Sequence, residues 1–358
     1  MKLRDYIIRR LFLLIPVLLG VTIVTFTLTR VVGDPVAPYV TERMNEQQRE
    51  EIRHLHGLDR PIYEQYFFYL KDVLTGDLGF SKAAQMRPVS EVIVQRLPTT
   101  LELSLPALFF SVLLGIPLGT ISAVQRDRPL DHATRVFALS GVSIPIFWLA
   151  LMLQLSLGGS DAPIARTAVD WNLIPRNSEI LPDAWLSSSN SRELYEQVPR
   201  VTGMYTVDSA LAGNGDAFFD AVKNILLPVT CLMYTNLAII TRLMRSSMLE
   251  AMSQEYVKTA RSKGLPESVV IQRHARRNAL IPVTTIVGLS VGGILGGAVL
   301  TETVFSVPGL GRWSTAAITT LDHAAVTSFV LLIAISYVVA NLIVDVVYAW
   351  LDPRIRLG

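Results

Sequence analysis

Five histidines, one cysteine and thirty carboxylates make up the reactive side chains of this 358-residue chain, and their spacing assembles no catalytic set. His54, His56, His132, His274 and His323 are scattered. The nearest two, His54 and His56, fall on different faces of a helix, so no metal site is expected. Paired aspartates, a Ser/His arrangement and a His-Glu-x-x-His helix are all missing, which sets aside an intramembrane protease. No Gly-x-x-x-x-Gly-Lys-Ser/Thr phosphate loop occurs; Gly76 to Lys82 comes nearest and has the wrong spacing. The chain is therefore expected to carry no catalytic residue and to bind no cofactor itself. Among acids in apolar surroundings, Asp345, with Asn341 one turn before it, is the one serious proton carrier, and a proton-coupled carrier would need more such groups. Arg30, Glu102 and Arg135 lie near the ends of apolar runs, where they can snorkel to water.

What the residues do offer is recognition. Ser246 to Pro282 is a basic, amphipathic stretch between two apolar runs, carrying Lys258, Arg261, Lys263, Arg273, Arg276 and Arg277. Its helix stops at Gly264, which tolerates the left-handed conformation of a C-terminal cap, and Pro266 suits the start of the next helix. Two short helices meeting at a fixed bend present a knob to a groove on a partner. An interfacial helix on anionic lipid would use the same basic residues. Spacing admits both.

These residues must be positioned by membrane-spanning helices. With 51% hydrophobic and 17% charged residues and a mean hydropathy of +0.41, the chain is too apolar for an ordinary soluble enzyme, and a net charge of +2 gives no nucleic-acid bias. The lone Cys231 has no partner for a disulfide. Leu11 to Val32 is too long for a signal-peptide core and reads as a retained first span. Further spans of about 20 residues fit Thr99 to Val124, Thr134 to Leu157, Asn224 to Thr241, Leu280 to Leu300 and Ala325 to Trp350. The fold class is all-α and polytopic, with about six transmembrane helices. Lys and Arg are more than twice as dense on one side, which places residues 1–10, the loop 242–279 and the tail 351–358 in the cytoplasm.

The other side holds residues 33–98 and 158–223. The first reads as a small helical cap: Asn45 and Gln48 form a capping-box pattern, Gly57 closes the helix, Pro61 suits the first position of the next one, and Tyr63, Tyr66, Phe67, Leu70 and Leu74 share a face. The second is rich in proline, serine and acids and should be irregular. Residues 99–350 form the core. In the fifth span, Gly288, Gly292, Gly293, Gly296 and Gly297 let two helices approach closely, which serves tight packing and also the sliding that a pore needs. Thr301 to Trp313, with Glu302, Phe305 and a Pro-Gly turn, is expected to fold back toward the pore mouth.

At the elbow the chain resembles permease subunits of the binding-protein-dependent ABC importers, in the dipeptide and oligopeptide branch. That family docks a loop on its ATPase through a triplet, often Glu-Ala-Ala, followed by a Gly at a fixed gap. Here Lys258, Thr259 and Ala260 stand at the triplet and Gly264 at the Gly. Lys258 replaces the usual acid, and His274 to Arg277 replace the usual Ile-x-Leu-Pro. Arg277 to Pro282 keep the Arg-Asn-Ala-Leu-Ile-Pro of the peptide branch. The resemblance extends over Arg9-Arg10, Gly33-Asp34-Pro35, Gly57 to Pro61, Gly76 to Ser81, Thr100 to Leu103, Ser143 to Trp148, Thr301 to Phe305 and Asp352 to Arg356. It is thinnest from Trp171 to Lys223.

This likeness implies a pore-forming permease subunit of a peptide importer in the inner membrane, with both termini cytoplasmic. Its partners would be a second homologous permease, two ATPase subunits holding ATP and Mg²⁺, and an extracytoplasmic peptide-binding protein. Glu255, Tyr256, Lys258, Thr259, Ala260, Arg261, Lys263 and Gly264 would dock the ATPase. Gly288, Gly292, Gly293, Gly296, Glu302 and Phe305 would line or gate the pore. The same architecture also serves nickel, glutathione and oligosaccharides.

Overall fold

A computed structural model describes residues 3–31, 44–55, 57–157 and 198–351, without the side chains of 3–7, 9–11, 28–31, 295, 297 and 345–351. His56, Gly33-Asp34-Pro35, most of the second exterior segment, the tail from Asp352 and the side chains of Arg30 and Asp345 therefore lie outside the described residues. The chain is an all-α polytopic membrane protein. Among the described residues four helices are long and apolar enough to cross a bilayer, and a bent pair raises that to five; the first helix adds a shorter apolar stretch, Phe12–Thr27.

In order, α1 is Leu3–Val31, α2 Glu46–Leu55 and α3 Ile62–Thr75. A two-residue antiparallel ribbon of β1, Phe80–Ser81, and β2, Arg87–Pro88, leads into α4, Val89–Val124. Then come α5, Pro129–Ser143, α6, Ile146–Leu157, α7, Tyr205–Leu211, and α8, Gly215–Ser253. The elbow follows: α9, Glu255–Ser262, α10, Glu267–Val269, and a single widened turn, Val270–Ala275, that runs into α11, Arg276–Gly297. The chain ends with α12, Val299–Val304, α13, Leu310–Thr319, and α14, His323–Leu351.

Sequence and structure part company at the third predicted span. Thr134 to Leu157 is not one helix, because α5 and α6 meet at 103°. Pro145 disfavours helical geometry at the residue before it, and Ile144 is extended (φ −81°, ψ 121°). The second and fourth spans lie within longer helices than hydropathy marked: α4 begins ten residues before Thr99, and α8 starts before Asn224 and runs past Thr241. Asn214 starts α8 by accepting the Ala217 N–H at 3.1 Å.

Helices α2 and α3 are closed by local chemistry. The Gln48 N–H donates to Asn45 Oδ1 at 2.9 Å and the Asn45 N–H to Gln48 Oε1 at 3.0 Å, a reciprocal capping box. Gly57, at φ +62°, ends the turn. Pro61 caps α3 from just outside it, one position earlier than predicted. The face of α3 that packs is also different: Tyr63, Phe67 and Leu74 are exposed, whereas Tyr66 and Tyr69 turn to α1. Their hydroxyls meet Thr22 and Thr25, each at 2.9 Å, so two pairs spaced three residues apart on both helices lock together.

The core is built on α4 against α8. Gly115 and Gly119 let α8 approach, since a Cβ on Gly119 would sit 2.6 Å from Met244 Cβ and 2.7 Å from the Thr241 carbonyl oxygen. The backbone oxygen cannot step aside. Gly119→Ala is expected to cost about 1–3 kcal/mol, seen as a lower Tm of the detergent-solubilised chain. Gly215→Ala, where nothing lies within 4 Å, should leave Tm unchanged.

Candidate functional site

The elbow begins where Gln254 turns extended (φ −72°, ψ 151°) and breaks the long helix α8 from α9. Gly264 closes α9 in the left-handed region at φ +73°. Its N–H donates to the Arg261 carbonyl at 2.9 Å and the Leu265 N–H reaches the Ala260 carbonyl at 3.4 Å, the two bonds of a Schellman cap. A Cβ at Gly264 would meet nothing within 4 Å, so backbone conformation alone asks for glycine.

Side chains of α9 divide by direction. Val257 (0% exposed) and Ala260 (5%) enter one buried cluster with Ala123 of α4, Ile240, Met244, Met248 and Ala251 of α8, and Val270, Ala275, Ala279 and Val283 beyond the elbow. Glu255, Lys258, Thr259, Arg261, Lys263 and Gly264 face outward, and Tyr256 is 39% exposed. Lys258 Nζ pairs with Glu255 Oε1 at 2.7 Å. Arg261 forks onto Glu267 across the bend, with Nη2 to Oε1 at 2.6 Å and Nε to Oε2 at 3.1 Å.

This packing weighs against one alternative left open by spacing. An interfacial helix needs its apolar face free for lipid. The apolar face of α9 is spent on the protein's own core, and what it shows outward is charged and polar. Ala260 accordingly anchors the elbow from inside and has no outward surface to offer a partner.

Behind the elbow an ion pair that sequence reading missed ties α5 to α8. Asp131, fully buried, accepts from Arg245 Nε at 2.6 Å and Nη2 at 2.9 Å, from Ser122 Oγ at 2.6 Å, and from the Asp127 N–H at 3.0 Å. All four donors meet one carboxylate. Nothing in the local pattern pairs Asp131 with a residue 114 positions away.

Nearer the start of α4, where Thr100 lies, Glu302 is fully buried. Its Oε1 accepts the Thr100 hydroxyl at 2.7 Å and its Oε2 accepts the Arg312 N–H at 3.1 Å, while Thr100 Oγ1 takes the Leu310 N–H at 2.9 Å. Thr100 and Glu302 thus cap the start of α13, whose own N-cap residue, Gly309, has no side chain to do so. A Cβ on Gly309 would collide with the Glu302 carboxyl and one on Gly311 with the Val299 backbone, which accounts for both glycines of this turn. Phe305 is buried against Leu103, Ile225 and Val229. Both gate candidates are core residues in this conformation.

The glycine row is occupied as well. A Cβ on Gly292 would meet Tyr337 at 2.6 Å, one on Gly288 would overlap Val344, Gly293 faces the Tyr337 hydroxyl, and Gly296 faces Ile333. All four lie against α14 of the same chain, so the row packs two of its own helices. Glu102, expected to snorkel, is instead buried and accepts the Thr206 N–H, because α4 runs on past the predicted end of the span and backbone of α7 rather than water meets the carboxylate there. Beside it, burial raises the Asp208 carboxyl, but the Thr202 N–H and hydroxyl and the Gly203 N–H outweigh that and hold it below its ordinary 3.8. This clasp is therefore in place at neutral pH and is lost as pH falls below that value. Among the described residues no group of three His, Cys, Asp or Glu could hold a metal ion.

Comparison with known proteins follows the same lines. Residues 115–357 match the model of the binding-protein-dependent transport system inner membrane component, and residues 3–104 match the N-terminal model of such membrane components. The chain is 40% identical over 354 residues to the dipeptide transport system permease protein DppB of Escherichia coli, covering 98% of each. It is 40% identical over 346 residues to the probable D,D-dipeptide transport system permease protein DdpB of the same organism, covering 96% of this chain and 95% of that one. Against the oligopeptide transport system permease protein AppB of Bacillus subtilis it is 32% identical over 352 residues, covering 98% and 99%.

Arg245→Ala would leave the Asp131 carboxylate buried without its counter-ion, a loss of about 3–5 kcal/mol. The double variant Asp131→Leu with Arg245→Met should recover most of it, and thermal unfolding of both variants measures the difference.

Proposed function

The chain belongs to the family of binding-protein-dependent transport system inner membrane components, and from that premise we propose that it is a pore-forming permease subunit importing dipeptides or oligopeptides. It works with a second, homologous permease, two ATPase subunits that hold ATP and Mg²⁺, and an extracytoplasmic peptide-binding protein. Residues 1–10, 242–279 and 351–358 face the cytoplasm. Residues 33–98 and 158–223 face outward, the side from which the binding protein would deliver peptide. Peptide cargo is taken from the relatives, whose names state dipeptide and oligopeptide transport. Nickel, glutathione and oligosaccharide find no specific support among the residues.

The inward anchoring of Val257 and Ala260 is the observation that favours docking of the ATPase at α9. A helix held from inside by packing and from the side by the Arg261–Glu267 pair presents a rigid polar face, suited to a groove on a partner. Closure of the ATPase subunits would push on α9, and the shared cluster would carry that push to α8 and α11. Lys258 is already paired with Glu255, so the docking face carries both signs of charge.

Gly264→Pro cannot keep φ +73° and should cut co-purification of the ATPase subunits several-fold, whereas Gly264→Asn, which tolerates that conformation, should retain them. Arg261→Glu should lower both ATPase capture and peptide-stimulated ATP hydrolysis. Full ATPase complement and normal coupling in both Gly264→Pro and Arg261→Glu would remove the docking role. Uptake of labelled dipeptide into proteoliposomes bearing the complete complex tests cargo separately.

A further inference from the structure

A second basic feature lies between α5 and α8, away from the elbow's docking face. A cleft of about 180 Å³ is lined by Thr134, Arg135, Leu139, Thr241, Arg242 and Arg245, among others. Arg245 is turned to Asp131 through Nε and Nη2, which leaves its Nη1 outside that pair. Arg135 and Arg242 are exposed, and no carboxylate among the described residues pairs with either; Arg135 meets only the His132 ring, at 2.9 Å. At the back of the cleft, Thr241 is fully buried and its hydroxyl has no hydrogen-bond partner among the described residues. Three guanidinium groups face the Asp131 carboxylate and, nearby, that of Asp127, which is itself paired with Arg126, so an excess of positive charge remains, and a buried donor stands unused beside it.

The position gives the ligand its second part. Arg135, Arg242 and Arg245 gather around the cleft with Asp131 near the start of α5 and the elbow end of α8, a charged boundary of the kind found where hydrocarbon gives way to headgroups. From the cleft, α5 carries Val136, Leu139 and Val142 exposed along its length, an apolar strip that in this membrane protein faces acyl chains or another helix. A free phosphate would satisfy the arginines but not the strip. A zwitterionic lipid would satisfy the strip and leave the charge excess unmatched.

We propose that this cleft is a binding site for one anionic phospholipid, its phosphate held by Arg135, Arg242 and the free edge of Arg245, and its chains lying along α5. Arginine suits this use because its planar fork matches phosphate oxygens. By contacting α5 and α8 together, the lipid would reinforce the joint that the Asp131–Arg245 pair already makes. The site needs the chain to be in a membrane and does not depend on where the ATPase docks.

The full-length chain, reconstituted in nanodiscs of mixed phosphatidylglycerol and phosphatidylcholine and released for native mass spectrometry, tests this. The expected result is preferential retention of phosphatidylglycerol, falling roughly 10- to 30-fold in the Arg135→Gln, Arg242→Gln double variant. The Arg273→Gln, Arg277→Gln double variant, which removes equal charge elsewhere, should keep it. Photocrosslinking of a phosphatidylglycerol probe to α5 in the unsubstituted chain should be lost in the first variant alone. No preference for the anionic lipid, or equal loss in both double variants, would overturn the site.

Discussion

Val257 and Ala260 decide what kind of object the elbow is. An eight-residue helix has too few internal hydrogen bonds to hold itself in water, so its shape depends on what its apolar side chains bury. Here they enter a cluster shared by α4, α8 and the start of α11, and full burial of such a valine contributes about 1.5–3 kcal/mol. The elbow therefore moves with those helices or must break that cluster to move alone. Its outward face is left free of packing duty, and the charges gathered there are available for recognition.

The same logic of satisfying what is broken runs through the rest of the molecule. A membrane chain cannot leave backbone groups unpaired where its helices stop, and at three of its breaks a buried acid closes them. Asp322 accepts the Ala325 N–H at 3.1 Å to start α14, and its other oxygen takes the Ser81 hydroxyl at 2.6 Å. Trp313 donates to the same Ser81 at 3.1 Å, so one aspartate joins the β1–β2 ribbon, α13 and α14. Glu302 and Thr100 do this for α13, and Asp131 holds the loop between α4 and α5. These acids are structural in location: each faces donors that are fixed, and none stands in a row with others as a proton relay would require.

Much of this was legible in the sequence where the signal is local. The capping box at Asn45, the left-handed closures at Gly57 and Gly264 and the apolar runs follow from residue type and spacing over a few positions. The bend at Ile144 was also written locally, in the proline after it, but hydropathy averaged across it and drew one span. What escaped depends on partners far along the chain. Glu302 lies 202 positions from Thr100, and Asp131 lies 114 from Arg245, distances over which a single sequence carries no pairing information. The exposed face of α3 was misassigned for a related reason, since Tyr66 and Tyr69 are chosen by two threonines on α1 rather than by hydrophobicity.

The account rests on the elbow and α8 moving as one body, and a spin–spin distance measures that directly. Labels at Ser262 on α9 and Glu250 on α8, both exposed, would report the separation in the assembled complex with and without trapped nucleotide. A narrow distribution that stays the same in both states is the predicted result. A distribution that broadens or shifts by several ångströms on nucleotide binding would show the elbow moving independently of α8, and would contradict the transmission of motion through the buried cluster.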